Sequence, residues 1–112
     1  MKKNDNWIIQ LRKGILEIAI LSFINEKPMY GYEITSSLNK IPMFQIPNGS
    51  IYPILNRITK NHWVITYWEE SNDGPQRKYY QITQEGIEIL KQRLQGYEEI
   101  YETLLTIGKE KN

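Results

Sequence analysis

The sequence predicts a mainly α-helical protein with one small β-hairpin, and two adjacent segments carry that prediction. Apolar residues recur at helical spacing at Ile51, Leu55 and Ile58, which predicts an amphipathic helix. Two runs rich in β-branched and aromatic residues follow, Val64–Glu70 and Arg77–Ile82. A helix followed directly by a hairpin is the layout of a winged helix. With a long helical pattern at the C-terminus, the predicted fold class is a winged helix-turn-helix domain plus one long terminal helix.

Two earlier helices complete the helix-turn-helix. Wide apolar periodicity predicts the first from about Trp7 to Asn25, and Pro28 disfavours its continuation. The second is predicted from Gly31 to Lys40, and the proline-containing segment Ile41–Asn48 is a connector.

The third helix is predicted to start near Gly49 or Ser50. Either Asn48 or Ser50 is suited to cap it, and Pro53 is tolerated because a first-turn residue needs no backbone N–H. The leading tip of such a helix reaches base edges in helix-turn-helix proteins. The hairpin tip is expected to be the turn-rich segment 71–76.

The last segment, from Thr83 to about Gly108, is predicted to be a long helix capped by Thr83. At ~1.5 Å per residue it forms a rod of roughly 38 Å, too long for a domain whose radius of gyration is about 13 Å. An exposed apolar overhang favours a two-fold homodimer, although folding back onto its own domain is the alternative. Residues 1–82 are therefore assigned to DNA binding and residues 83–112 to dimerisation. The predicted dimer contacts are Ile8, Leu11, Leu90, Leu94, Tyr97, Tyr101 and Leu104.

Composition is that of a single globular domain. The chain has 112 residues, 40% hydrophobic and 24% charged, and no cysteine. We expect a reduced, cytoplasmic setting, and the apolar runs are too short to span a membrane. Net charge is only +1, but residues 1–82 hold ten Lys/Arg against seven Asp/Glu, whereas residues 83–112 hold four against six. The basic excess therefore accompanies the predicted winged helix.

The pattern argues against an enzyme, because it contains no nucleophile–histidine–acid set and no glycine-rich phosphate loop. The single histidine, His62, has no partners at metal-ligand spacing and is expected in a turn. No metal and no cofactor are predicted.

The outer face of the third helix and the hairpin carry polar and basic groups suited to phosphates and base edges. Arg77 and Lys78 could instead merely solvate the hairpin end, and Tyr30 and Tyr52 could be core aromatics; for Tyr32 we expect the core. The predicted DNA contacts are Tyr30, Ser50, Tyr52, Pro53, Asn56, Arg57, Lys60, Gln76, Arg77 and Lys78.

Three motifs in order resemble a known family. They are MYGYEI at 29–34, GSIYPILNRITKNHWV at 49–64 and GPQRKYYQITQEG at 74–86. The chain resembles the PadR-type transcriptional regulators, in the short group with a single C-terminal dimerisation helix. One departure is His62-Trp63, which stands where the family usually has a glycine-containing turn and is expected to tilt the hairpin slightly.

The resemblance implies a homodimeric repressor that binds a palindromic operator and releases it when a small effector binds. In some short members, an aromatic residue on the last helix lines an apolar opening between subunits, where planar aromatic effectors stack. By that likeness Tyr97, with Ile15 and Ala19, is a candidate effector wall; packing in the dimer is the simpler role for Tyr97. The rival function is a winged-helix module that docks proteins without binding DNA. That rival predicts acidic or apolar replacements, whereas this chain keeps Arg57, Lys60, Arg77 and Lys78.

Overall fold

The computed structural model describes residues 2–111 of the chain, with side chains for residue 7 and residues 11–109. The described residues form four α-helices and one three-stranded antiparallel sheet. The helices are α1 (Lys2–Glu26), α2 (Gly31–Asn39), α3 (Tyr52–Lys60) and α4 (Gln84–Lys111). This confirms the predicted fold class, a winged helix followed by one long terminal helix.

The sheet contains one more strand than the predicted hairpin. The hairpin strands are β2 (Val64–Ser71) and β3 (Gly74–Ile82), and the extra strand is β1 (Met29–Tyr30), in the order β1-β3-β2. A two-residue strand has no periodicity to recognise, and it exists because Met29 and Tyr30 pair with Tyr80 and Tyr79. The hairpin tip is also shorter than the predicted segment 71–76, because the ladder continues to the pair Ser71–Gly74.

The start of α3 differs from the prediction. The helix begins at Tyr52, and neither Asn48 nor Ser50 caps it. Instead, a turn is closed by hydrogen bonds from Ser50 N to Pro47 O at 3.1 Å and from Tyr52 N to Gly49 O at 3.3 Å. Gly49 has a φ of 87°, which favours glycine. This turn replaces the expected cap.

The end of α3 explains how His62 serves in place of glycine. His62 has a φ of 65°. Its N–H donates to Thr59 O at 3.0 Å, and Trp63 N donates to Ile58 O at 3.1 Å. This is the hydrogen-bond pattern of a Schellman helix end, whose left-handed residue is usually glycine. Trp63 is buried and anchors the turn.

The core lies where α1, α2, α3 and the sheet meet. Its fully buried side chains come from α1, α2, α3 with the residue before it, and strand β2 of the sheet. Tyr80 points inward with only 4% of its surface exposed, because successive side chains of a strand alternate between the two faces of the sheet. The largest fully buried side chains are Ile20, Leu21, Ile24, Ile34, Leu38, Ile51, Leu55, Ile58 and Val64.

Helix α4 starts against this core and then leaves it. Thr83 caps it, because Gly86 N donates to Thr83 Oγ1 at 3.0 Å, as predicted. Every residue from Glu98 to Lys109 is exposed. The radius of gyration is 16.6 Å, above the roughly 13 Å expected of a compact chain of this length. Within the described residues, no helix combines the length and hydropathy that a membrane span requires.

Candidate nucleic-acid interface

The outer face of α3 is polar and exposed. Its inner side is held by Ile51, Leu55 and Ile58, all completely buried. Because successive residues turn by about 100°, the opposite side carries Pro53, Asn56 and Lys60, and Ser50 lies exposed just before the helix. Burial of one side therefore fixes which predicted DNA contacts face outward.

Tyr52 lies where α3, α2 and the sheet meet. A Cβ atom added to Gly31 would come within 2.6 Å of the Tyr52 hydroxyl, so the glycine permits this close approach. About half of the Tyr52 ring remains exposed. Tyr52 is thus neither a core aromatic nor a free surface group. Its hydroxyl end is held beside the hairpin of β2 and β3, which we call the wing.

The wing side chains form a groove with this tyrosine. The Arg77 guanidinium lies 4.5 Å from the centre of the Tyr30 ring, and Lys78 Nζ lies 5.8 Å from that of Tyr80. Glu33 Oε1 accepts a hydrogen bond from Tyr30 N at 3.1 Å, which holds the start of α2. The groove has a volume of about 370 Å³. It brings together five of the predicted DNA contacts: Tyr30, Tyr52, Gln76, Arg77 and Lys78.

Two aromatic residues on this surface were not anticipated. Trp68 pairs with Lys78 across the hairpin and is 62% exposed in the groove. The signal was available, since directly opposed residues share one face of a sheet. Tyr32 corrects a prediction: it is 72% exposed rather than in the core, because α2 turns it away from Ile34 and Leu38.

Arg57 is held by a buried carboxylate that the sequence analysis missed. Its Nε donates to Glu17 Oε2 at 2.8 Å, and Arg93 Nη1 donates to Glu17 Oε1 at 2.6 Å. Glu17 is 6% exposed. It therefore links α1 to both α3 and α4. The signal was a lone acidic residue inside the apolar run ILEIAIL at 15–21.

The predicted effector residues line one cavity between α1, α4 and the turn at Pro42–Phe44. It has a volume of about 400 Å³, and its wall is almost entirely apolar. Ile15, Ala19 and Tyr97 all belong to that wall. The Tyr97 hydroxyl donates to Gly14 O at 3.3 Å, which orients the ring.

The predicted dimer contacts divide into two groups. Leu11, Leu94, Tyr97, Tyr101 and Leu104 are exposed in the single chain. Leu90 is 4% exposed and packs in the core of its own chain, so little of its surface is left for a partner. The side chain of Ile8 lies outside the described residues.

Within the described residues, no group of three or more metal-binding side chains comes together. His62 lies exposed at the turn after α3. The groove of the wing presents cations, an amide, hydroxyls and aromatic rings, groups that suit recognition of nucleic acid.

The sequence of the chain is similar to a known family and to a known relative. Residues 20–92 match the model of the transcriptional regulator PadR-like family. An uncharacterized protein from Lysinibacillus sphaericus is 33% identical over 94 residues, which cover 82% of this chain and 86% of the relative.

Solved structures are similar over most of the chain. A PadR-like transcriptional regulator from Bacillus cereus strain ATCC 14579 has 38% identity and a TM-score of 0.77, covering 88% of this chain and 95% of that one. A Streptococcus transcriptional regulator has 36% identity and a TM-score of 0.78, covering 88% and 96%. A padr family transcriptional regulator from Eggerthella lenta DSM 2243 has a TM-score of 0.85 at 24% identity, covers 95% and 92%, and supports the fold alone.

Proposed function

The chain belongs to the PadR-like family of transcriptional regulators, and we propose that it is a repressor that binds a palindromic operator as a homodimer and leaves it when a small aromatic effector binds. It is a transcriptional regulator and not an enzyme. The observation that carries the proposal is the exposed polar face of α3 beside the groove of the wing.

DNA recognition divides between the helix and the wing. Asn56 and Lys60, on the outer face of α3, enter the major groove, where an amide suits adenine and an ammonium suits guanine. Ser50 and Tyr52 lie at the leading tip, where base edges come closest. Gln76 and Lys78 on the wing contact the flanking backbone, which sets position without reading sequence.

Arg57 can still contact a phosphate, because its ion pair with Glu17 uses only one of the three guanidinium nitrogens. The Nε bond to Glu17 fixes the direction of the guanidinium. The two terminal nitrogens make no hydrogen bond to the described residues, and the side chain as a whole is half-exposed. A guanidinium oriented in advance loses less freedom when it binds a phosphate.

Gel-shift titration at several salt concentrations tests DNA binding, with duplexes selected from a random pool. A dimer presents Arg57, Lys60, Arg77 and Lys78 twice. If about six of these charges neutralise phosphates, log affinity falls against log salt with a slope near −5, at about 0.9 per contact.

Substitutions separate the two roles. Arg77→Ala and Lys78→Ala should weaken binding to all sequences alike and flatten the slope, because they remove phosphate contacts. Ser50→Ala, Tyr52→Phe or Asn56→Ala should change the preferred sequence. Lys109→Gln, in the last turn of α4, is the matched control. Binding that ignores salt, or survives loss of all four basic residues, would favour the protein-docking function instead.

The homodimer is supported by the apolar side chains on the overhanging part of α4. Leu94, Tyr97, Tyr101 and Leu104 follow a seam at steps of three and four, and all are exposed in the single chain. A second copy across a two-fold axis covers this seam with the same seam. It also sets two recognition helices at the spacing that a palindrome requires.

Effector binding is supported by the cavity between α1 and α4. Its volume of about 400 Å³ and apolar wall suit a small planar aromatic molecule. Helix α1 carries both the cavity residues Ile15 and Ala19 and the carboxylate of Glu17, which holds Arg57. A ligand that shifts α1 against α4 therefore moves a DNA contact, and a coupling of about 5–150-fold in affinity is typical of such links.

A panel of planar aromatic compounds tests the cavity by fluorescence titration. A ligand of the cavity should lower DNA affinity, and DNA should lower ligand affinity by the same factor. Tyr97→Ala should weaken binding of the ligand by about 1 kcal/mol, the interaction energy of one aromatic pair. Tyr32→Ala, which removes an exposed ring outside the cavity, is the control. If the whole panel leaves fluorescence and DNA affinity unchanged, the effector role is lost and DNA binding stands.

A further inference from the structure

A second basic surface lies on the flank of α3 that faces away from the wing. It is a pocket of about 540 Å³ between α1 and the start of α3. Its polar wall consists of Arg12, Lys13, Ser50 and Arg57, above an apolar floor. Its described lining contains three cations and no carboxylate, so the pocket attracts an anion.

Arg12 lines this pocket, and a hydrogen bond holds its side chain in place. Its Nη1 donates to Met43 O at 3.0 Å, which holds the side chain against the turn before α3. Its Nε is buried and forms no hydrogen bond within the described part of the chain. A buried donor without a partner is unfavourable, so this end of the side chain favours nearby acceptors. Lys13, the next residue, is exposed at the rim.

The charge behind the pocket also remains positive. Glu17 contributes one negative charge, but two guanidinium groups, those of Arg57 and Arg93, bind it. The network therefore carries an excess positive charge, and Arg57, which pairs with the carboxylate through Nε alone, also lines the pocket.

The position of the pocket matches the second edge of a DNA groove. Tyr52 and Arg57 lie five residues apart on α3, which places them about 140° apart around the helix. Tyr52 is on the side of the wing groove, and Arg57 is on the side of α1. A helix in the major groove, which is about 12 Å wide, has one sugar-phosphate backbone on each side.

We propose that the Arg12–Lys13 pocket binds a backbone phosphate of the operator, on the strand opposite the one that the wing contacts. This inference rests on the proposed DNA binding. It makes α1 a second anchor, so that α3 is held in the groove from both flanks. The phosphate oxygens accept from Arg12 and Arg57, and Lys13 closes the rim.

The test uses the full-length chain and a mixed-sequence duplex of about 30 base pairs, because phosphate contacts do not depend on sequence. Lys13→Gln removes one contact from each subunit. It should reduce the salt slope by about 2 per dimer and lower affinity at least about 10-fold near 0.1 M salt. Lys109→Gln removes the same charge from the end of α4 and should change neither. Lys13→Arg keeps the charge and should restore binding.

Phosphate ethylation interference locates the contact on a duplex selected from a random pool, where the protein binds in one register. The unmodified protein should show interference on both strands flanking each recognition helix, and Lys13→Gln should lose the cluster opposite the wing. If the unmodified protein binds while Lys13→Gln keeps both clusters and the full slope, the pocket inference is overturned and DNA binding stands. A Lys13→Arg variant as weak as Lys13→Gln also overturns it. If the unmodified protein binds no duplex at all, both the proposed function and the pocket fall.

Discussion

Among single residues, Glu17 joins three helices through its two ion pairs. It is the acidic side chain of the buried stretch of α1, and it holds Arg57 of α3 and Arg93 of α4. Arg93 also lies 4.8 Å from the centre of the Trp63 ring. One carboxylate therefore sets the relative positions of three helices.

Replacing this carboxylate with an amide tests its importance. Glu17→Gln keeps the size of the side chain but leaves two guanidinium groups beside a neutral acceptor. Because both arginines are partly exposed and water can compensate, we expect a loss of about 1–3 kcal/mol in the free energy of unfolding, measured by urea denaturation. Glu88→Gln, on the exposed side of α4, should change it by less than about 0.5 kcal/mol. Equal stability of the two variants would contradict the role of Glu17.

The buried phenol of Tyr80 makes stability depend on pH in the alkaline range. Burial raises the pKa of Tyr80 above its ordinary value, and the nearby Tyr52 raises it further. The unfolded chain therefore loses this proton more readily than the folded one. The stability contributed by the neutral phenol is complete below pH of about 10 and falls as pH rises above it.

Thermal unfolding between neutral and alkaline pH measures this effect. The melting temperature should drop above pH of about 10 in the unmodified chain. Tyr80→Phe should reduce that drop because it removes the titrating group. Tyr32→Phe, which alters an exposed tyrosine, should leave the drop unchanged. An identical drop in all three chains would assign it to other groups.

At the scale of elements, the junction between the sheet and α4 depends on a glycine. Gly86, in the first turn of α4, packs against the carbonyl of Trp63 and the side chain of Ile82. Thr83 strengthens the same junction, because its hydroxyl donates to His62 O at 2.8 Å. Helix α4 therefore starts in direct contact with the turn that follows α3.

Two glycine substitutions in α4 should have opposite effects. Gly86→Ala adds a Cβ atom that meets the Trp63 carbonyl oxygen and lies 2.8 Å from Ile82 Cγ1, so we expect a loss of about 1–3 kcal/mol from overpacking. Gly96→Ala meets nothing within 4 Å and should stabilise the helix by about 0.5–1 kcal/mol. Urea denaturation of both variants checks the signs. A stable Gly86→Ala variant would mean that the backbone shifts at little cost.

At the scale of the whole molecule, the shape is elongated, with extents of 61 × 35 × 20 Å. The long dimension comes from α4, whose last turns leave Leu104 61% exposed. A seam of this kind is unfavourable in water unless a partner covers it. Shape and proposed dimerisation are thus two consequences of one helix.

Light scattering tests the dimer. The unmodified chain should have about twice the mass of its 13.3 kDa protomer. Leu104→Asp places a charge on the seam and should give the protomer mass with the fold intact, because the side chain has no role in the core. Thr103→Asp adds the same charge beside the seam and should remain dimeric. Leu90→Ala should instead lower stability by about 2–5 kcal/mol, since Leu90 is buried in its own chain. An unmodified chain of protomer mass at micromolar concentration contradicts the dimer.

Local patterns were sufficient to predict much of this protein. The periodicity of Ile51, Leu55 and Ile58 identified helix α3, and two β-rich runs identified the hairpin of β2 and β3. Helical periods and strand alternation depend on neighbouring residues. The sequence by itself therefore determined the order of the four helices and the hairpin, the fold class and the exposed face of α3.

Tertiary structure decided what depends on residues far apart in the chain. Glu17 meets Arg57 and Arg93 at separations of 40 and 76 residues. Strand β1 exists only because β3 lies beside it, and the exposure of Tyr32 depends on how α2 packs. Which cations line the Arg12–Lys13 pocket depends on the packing of α1 against α3. Such contacts arise when separate elements bury their apolar faces together, and no local period encodes which charges that packing brings into contact.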